Sequence, residues 1–265
     1  MSNIPDEGQN RQGELQDNSN PGLNVGRPDY DRTHTLNANF ILELPFGKGK
    51  RFLNQGGVVD RVFGGFQFTS IINLVSGPPL GIVDPRSTSA ITFTSGRQSA
   101  TSTLNGDQIK KLTRIFRTPN GIYFIDPKVL CATATAPGQP TLSCFDLNQP
   151  LPSGYTLASV RGASPLGTAP FPGQVFFFNE AGSTGNLPRN FINGAPYLNW
   201  NAGLSKNIRI GETQRIQIRV EAFNVLNKQV PFFSSDLDVN STNFGRVTSS
   251  YNTPRIIQFG VRYDF

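Results

Sequence analysis

The sequence predicts an all-β, antiparallel chain of about five long strands with one very long connection. Three observations predict it. Apolar and polar side chains alternate at period two in five separate runs, helical periodicity is nearly absent, and each run is bounded by Gly, Pro or Asn. Composition agrees, since the 265 residues include 21 Phe, 27 Gly and 20 Pro with only 16% charged residues, a Phe-rich and charge-poor balance for a soluble domain.

Residues 1–30 open with MSNIPDEGQNRQGELQDNSNPG, which is polar, rich in Asn and Gln, and reads as a loop or disordered lead-in. It has no basic head followed by an apolar stretch and so is not a secretory signal. The first run, TLNANFILEL (Thr35 to Leu44), sets Leu36, Ala38, Phe40, Leu42 and Leu44 against Asn37, Asn39, Ile41 and Glu43. The second, FQFTSIINLVSG, sets Phe66, Phe68, Ile72 and Leu74 against Gln67, Thr69 and Asn73.

The third run, YLNWNAGLSKNIRI, opposes Leu198, Trp200, Ala202, Leu204, Ile208 and Ile210 to Asn199, Asn201, Ser205, Asn207 and Arg209. In the fourth, RIQIRVEAFNVLN, Ile216, Ile218, Val220 and Ala222 oppose Gln217, Arg219 and Glu221. The fifth, IQFGVRYDF, alternates Phe259, Val261, Tyr263 and Phe265 and runs to the last residue. A terminal Phe is unusual, because chain ends fray and usually carry polar residues.

This alternation fits a sandwich with a dry core or a barrel with lipid outside and a wet lumen. Connection lengths separate them. The third and fourth runs are joined by GETQ, and the moderate connection PFGKGKRFLNQGG falls on the same, near side; residues 77–195 and Lys228 to Thr253 fall on the far side. Short connections and the terminus on one side, long connections on the other, are the arrangement of an outer-membrane barrel. In that reading Asn199, Asn201, Gln217, Arg219 and Glu221 face the lumen.

The long connection, about Gly77 to Ala195, resists assignment and suits an extracellular loop with some hairpins of its own, for instance around AITFT (Ala90 to Thr94). Between Val129 and Phe178 only Asp146 and Arg161 are charged. Its Cys131 and Cys144 are the only cysteines of the chain. An even count inside one loop reads best as a local disulfide, worth about 3 kcal/mol if unstrained and a mark of an oxidising compartment; two free thiols are the alternative.

Chemistry is sparse. The single His34 has no acidic or thiol partner at motif spacing and reads as a hydrogen-bonded structural residue. FGKGKR (Phe46 to Arg51) lacks the glycine spacing and Lys-Ser/Thr ending of a phosphate loop, no helix is expected after it, and it reads as a basic turn. DLDVNS (Asp236 to Ser241) offers alternate oxygens but lacks the central Gly and the distal Glu of a calcium loop, so an Asx-rich turn is the plainer account. The net charge of +6 comes from Lys and Arg scattered through every segment, with no stripe interleaved with stacking aromatics, which argues against nucleic acid. No run approaches the length of a membrane-spanning helix.

GNLPRNFINGAPYLNWNAGLSKNIRIGE, RIQIRVEAFNVLNKQ and FGRVTSSYNTPRIIQFGVRYDF, in that order, resemble the C-terminal barrel region of TonB-dependent transporters of the Oar-like, acidobacterial group. DRTHTLNANFILELPFGKGKRF and GGFQFTSIINLVSGPPL are similar to the strands that precede it. The resemblance covers nearly everything after about Pro28, apart from Pro78 to Ser183. It implies that residues 31–265 are the C-terminal part of a large outer-membrane barrel, closed by an N-terminal plug and importing a bulky nutrient. It also implies that Phe259, Gly260, Val261, Tyr263 and Phe265 form the signal read by the barrel-assembly machinery.

The expectation is therefore an incomplete barrel that cannot transport alone, since open edges leave backbone groups unpaired in lipid. Plug, energy-coupling box and signal peptide have no counterpart in the sequence, and a fragment of a longer transporter is expected. Its partners would be the assembly machinery, outer-membrane lipid and, through the full-length protein, the TonB energy-coupling system. No enzyme activity, cofactor or metal is expected. The alternatives are a porin-like or adhesive outer-membrane barrel and a secreted, glycan-binding β-sandwich. The transported ligand is not legible.

Overall fold

A computed structural model of the chain describes residues 21–86, 98–134, 153–158, 174–211, 213–232, 237–241 and 243–265. The chain divides into two compact units: one holds Thr33–Ser76, Pro196–Val230 and Tyr251–Phe265, the other Met1–Arg32, Gly77–Ala195 and Pro231–Ser250. No described helix is long and apolar enough to cross a membrane.

The first unit is a five-stranded antiparallel sheet. Its strands are β1 (Thr35–Glu43), β2 (Phe66–Val75), β3 (Tyr197–Arg209), β4 (Arg215–Phe223) and β5 (Ile256–Asp264), paired in chain order. Each forms where the alternating run predicted one, with ends moved by at most one residue, except that β2 stops two residues early and β4 four. Asn224 and Asn227 there adopt left-handed backbone (φ 52° and 49°), which Asn tolerates better than other side chains. The Asn224 amide donates to the carbonyls of Lys228 (3.2 Å) and Thr253 (2.9 Å), so the turn that ends the strand is tied to the approach to β5.

Register sorts the side chains into two faces, because pleating sends alternate residues to opposite sides. One face carries six rows. They are Leu36, Leu74 and Leu198; Ala38, Ile72 and Trp200; Phe40, Ser70, Ala202, Ala222 and Ile257; Leu42, Phe68, Leu204, Val220 and Phe259; Phe66, Lys206, Ile218 and Val261; Ile208, Ile216 and Tyr263. The other face carries Asn37, Asn73 and Asn199 in one row and Arg209, Arg215 and Asp264 in another.

At the near end the β3–β4 hairpin closes with Ile210 N donating to the Gln214 carbonyl (3.0 Å). The β1–β2 connection folds back on itself. Its Phe46 and Phe52 rings meet at 5.9 Å, Lys50 pairs with Glu43 at 2.6 Å, and Lys48 N donates to Asp60 Oδ1 at 2.6 Å. A six-residue helix α1 (Val58–Phe63) follows FGKGKR, contrary to the expectation of no helix. The sequence reading missed it because six residues are too few for a 3.6-residue period to register, and no side chain caps its start. Gly65 (φ +72°) leads into β2, and a Cβ there would lie 2.3 Å from the Asn207 carbonyl oxygen, so this approach requires Gly.

The second unit holds the described part of the long connection, for which the sequence predicts a loop with some hairpins of its own. It has its own core, in which Ile82, Ala100, Ile109, Ile125, Ile192 and Val239 are fully buried and the Phe176 and Phe244 rings meet edge to face at 5.1 Å. A hairpin pairs Thr113–Thr118 with Gly121–Ile125. Helix α2 (Gly106–Lys111) starts with a capping box, Asn105 accepting from Gln108 N while Gln108 Oε1 accepts from Asn105 N, both at 2.9 Å.

Asp84, fully buried, is held by Arg86 (2.7 Å) and by the backbone N–H of Asn179 (2.9 Å), while the Arg86 guanidinium lies 3.8 Å from the centre of the Phe178 ring. A buried carboxylate is tolerated only with this kind of pairing. Tyr123 is buried here, and loss of solvent raises its pKa above the usual phenol value despite the nearby Arg246. Of the lead-in, residues 21–24 form a 3₁₀ turn and Gly26 bridges to Arg189, so this part is ordered. AITFT lies outside the described residues.

Candidate functional site: the two faces of the sheet

The first face is apolar and uncovered. Leu42 is 52% exposed, Ile257 53%, Val261 76% and Phe259 79%. Contiguous apolar surface of this kind is rare on soluble monomers and marks an interaction surface or a membrane. Moving one such side chain from water into an apolar medium is worth about 1.5–3 kcal/mol. The six rows span about 34 Å along the strands at 3.4 Å per residue, or about 26 Å of height after a 40° tilt, close to the ~25 Å apolar band of an outer-membrane barrel.

Its Ser70, Trp200 and Lys206 are satisfied within the sheet or its connections. Trp200 Nε1 donates to Ser70 Oγ at 2.9 Å on the same face. Lys206 stands in the fifth row, where the alternation gave no warning of a cation. Its Nζ donates to the carbonyls of Val62 (2.7 Å) and Gly64 (2.9 Å) at the end of α1 and lies 4.1 Å from the centre of the Phe66 ring. The charge is thereby drawn to the near end, as a snorkelling lysine at an interface is.

The second face holds the residues expected to line a lumen: Asn199 and Asn201 on β3, Gln217, Arg219 and Glu221 on β4. Gln217 Nε2 donates to Asn207 Oδ1 at 3.1 Å, Asn201 Oδ1 accepts from Asn224 N at 2.9 Å, and Arg219 approaches Glu221 at 3.9 Å. Asp264 accepts from both Arg215 and Arg262 at 2.7 Å. A depression of about 670 Å³ on this face is bordered by Asn39, Ile41, Thr69, Ile71, Asn201 and Phe223. Here Ile71 and Phe223 join Ile41 as apolar residues on the polar side. A second cavity, about 580 Å³, lies at the near end between Glu43, Lys48, Asp60, Arg61, Asn207 and Arg209.

On β5, Phe259, Val261 and Tyr263 share the apolar face, while Gly260 sits opposite Arg219 on the other. Phe265 follows the strand, 93% exposed, its ring stacked 6.0 Å from that of Tyr263. The sheet ends at β1 and β5, each hydrogen-bonded to one strand only among the described residues. Cys131 begins a short strand opposite Ala158, and Cys144 lies outside the described residues, as does any bond between them. Among the described residues there is no cluster of metal-ligating side chains, and Asp238 Oδ1 accepts from Asn240 N (2.8 Å) in an Asx turn. The backbone of His34 is paired with Ser76.

A family model described as an outer membrane beta barrel domain matches residues 1–258. No curated protein and no solved structure matches the chain. With the alternating antiparallel sheet and a match over nearly its whole length, the chain belongs to the outer-membrane β-barrel domain family.

Proposed function

We propose that the sheet is part of the wall of a TonB-dependent outer-membrane transporter of the Oar-like group, a barrel that imports a bulky nutrient and that needs a plug and further strands to work. The observation that carries this is the open sheet whose one face is uncovered and apolar and whose two outer strands each lack a neighbour among the described residues. In lipid every unpaired backbone group costs several kcal/mol, so such edges call for more strands. Copies of this chain joined head to tail do not supply them in antiparallel pairing, because with five antiparallel strands β1 and β5 run in the same direction and a β5–β1 seam would be parallel. An odd number of additional strands restores antiparallel pairing all round.

In this reading the apolar rows meet outer-membrane lipid and β5, with Phe265, is the strand the assembly machinery reads. Energy arrives through the TonB system. The protein catalyses no reaction. Expression of the full-length transporter of which this chain is read as a part, followed by separation of membrane and soluble fractions, tests the proposal. The expected result is material that stays with the outer membrane after a urea wash. A soluble periplasmic monomer would refute it.

A further inference from the structure

We propose that the near half of the polar face binds oxyanions, so that the pore it borders favours solutes bearing phosphate or carboxylate groups. This rests on the reading of that face as a pore wall. The far half of the face is amide-rich, with Asn37, Asn73 and Asn199 side by side in one row, and carries no cation there. The near half differs in three successive rows. Arg209 stands directly opposite Arg215, Gln217 opposite Arg262, and Arg219 opposite Gly260.

Like charges placed directly opposite each other destabilise a sheet. The carboxylates present do not offset them all. Asp264 is shared between Arg215 and Arg262, and Glu221 stays 3.9 Å from Arg219, beyond hydrogen-bond reach. No carboxylate among the described residues lies within ion-pair distance of Arg209, or of Arg61 and Lys48, which border the near-end cavity beside it. The carboxylates of that cavity are engaged otherwise, Glu43 with Lys50 and Asp60 with the backbone of Lys48.

An unbalanced arginine pair beside a cavity breaks the local pairing rule, and such breaks concentrate at functional sites. Guanidinium groups match phosphate and carboxylate oxygens in paired hydrogen bonds. Rings of Arg and Lys are also how pores select anions, and low-dielectric walls focus the field of such charges.

The full chain folded into detergent micelles, titrated calorimetrically with tripolyphosphate and separately with the neutral trisaccharide maltotriose, tests the inference. Expected are salt-sensitive binding of tripolyphosphate, no binding of maltotriose, and a loss of about tenfold or more in affinity in R209Q/R219Q, the scale of a lost charge-assisted hydrogen bond. K48Q/R61Q changes residues outside the strands, leaves the sheet intact, and is expected to weaken binding in the same direction. Asn37→Gln leaves it unchanged. A folded chain indifferent to tripolyphosphate, one that prefers maltotriose, or unchanged affinity in folded K48Q/R61Q overturns the inference while the membrane reading stands. A chain that stays soluble without detergent overturns both.

Discussion

The apolar face makes its sharpest demand at Phe259. This residue lies in the fourth of six rows, beside Val220, and is 79% exposed. Its neighbour Gln258 lies on the other face, opposite Glu221. If the apolar face meets hydrocarbon, Phe259→Lys loses about 2 kcal/mol of apolar transfer and adds about 2–4 kcal/mol for a lysine near the bilayer midplane, some 4–6 kcal/mol in all. Gln258→Lys then costs less than about 0.5 kcal/mol, the usual range of a surface change. Were both faces wet, Phe259→Lys would cost as little as Gln258→Lys, because a side chain so exposed has little packing to lose. Trp200 is the only tryptophan and reports on the sheet directly. Urea unfolding in lipid vesicles followed by its fluorescence measures both costs; equal midpoints for the two variants would refute the lipid-facing assignment.

Ser70→Ala leaves the Trp200 indole N–H without its acceptor on the apolar face, and the same unfolding assay is expected to show a loss of about 1–3 kcal/mol. Lys206→Met removes the donor to Val62 and Gly64, so hydrogen exchange is expected to speed up in Val58–Phe63 while β4 and β5 keep their protection. Burial raises the Tyr123 pKa, so in the unfolded chain the phenol ionises first; its contribution to stability is complete below pH 10.0 and is lost as pH rises through the folded value. Alkaline unfolding followed by circular dichroism is expected to move to higher pH in Tyr123→Phe. Deleting Phe265 is expected to reduce outer-membrane assembly in cells while leaving detergent refolding intact, since the ring is 93% exposed and stacks on Tyr263.

The sheet was legible because its information is local. Every strand carries period-two alternation within nine to thirteen residues, and turn residues mark the ends. What alternation leaves unread is which residues of different strands become neighbours. Arg209, Arg215, Arg219 and Arg262 look scattered along the chain, yet pairing brings them into three adjacent rows. The same holds for Lys206, which breaks the apolar pattern and looks like an error until the carbonyls of Val62 and Gly64 meet it from a connection 142 residues earlier in the case of Gly64.

The second unit was illegible for the opposite reason. Its buried residues come from distant stretches: Ile82, Ile125, Phe176 and Val239 share one core, and Val83 N–H donates to the Leu237 carbonyl while Val239 N–H donates to that of Val83. Its described strands are mostly two residues long, too short for any period to register. A core assembled from single apolar residues spaced across more than a hundred positions leaves a Pro-, Gly- and Ser-rich sequence that composition reads as loop. The buried Asp84 shows why the unit is nonetheless specific: a carboxylate without solvent is held only if Arg86 and Asn179, brought from separate segments, arrive together. Asp84→Asn should therefore disturb this unit's core and leave the register of β1 to β5 unchanged, and amide exchange resolved by segment separates that outcome from a collapse of both.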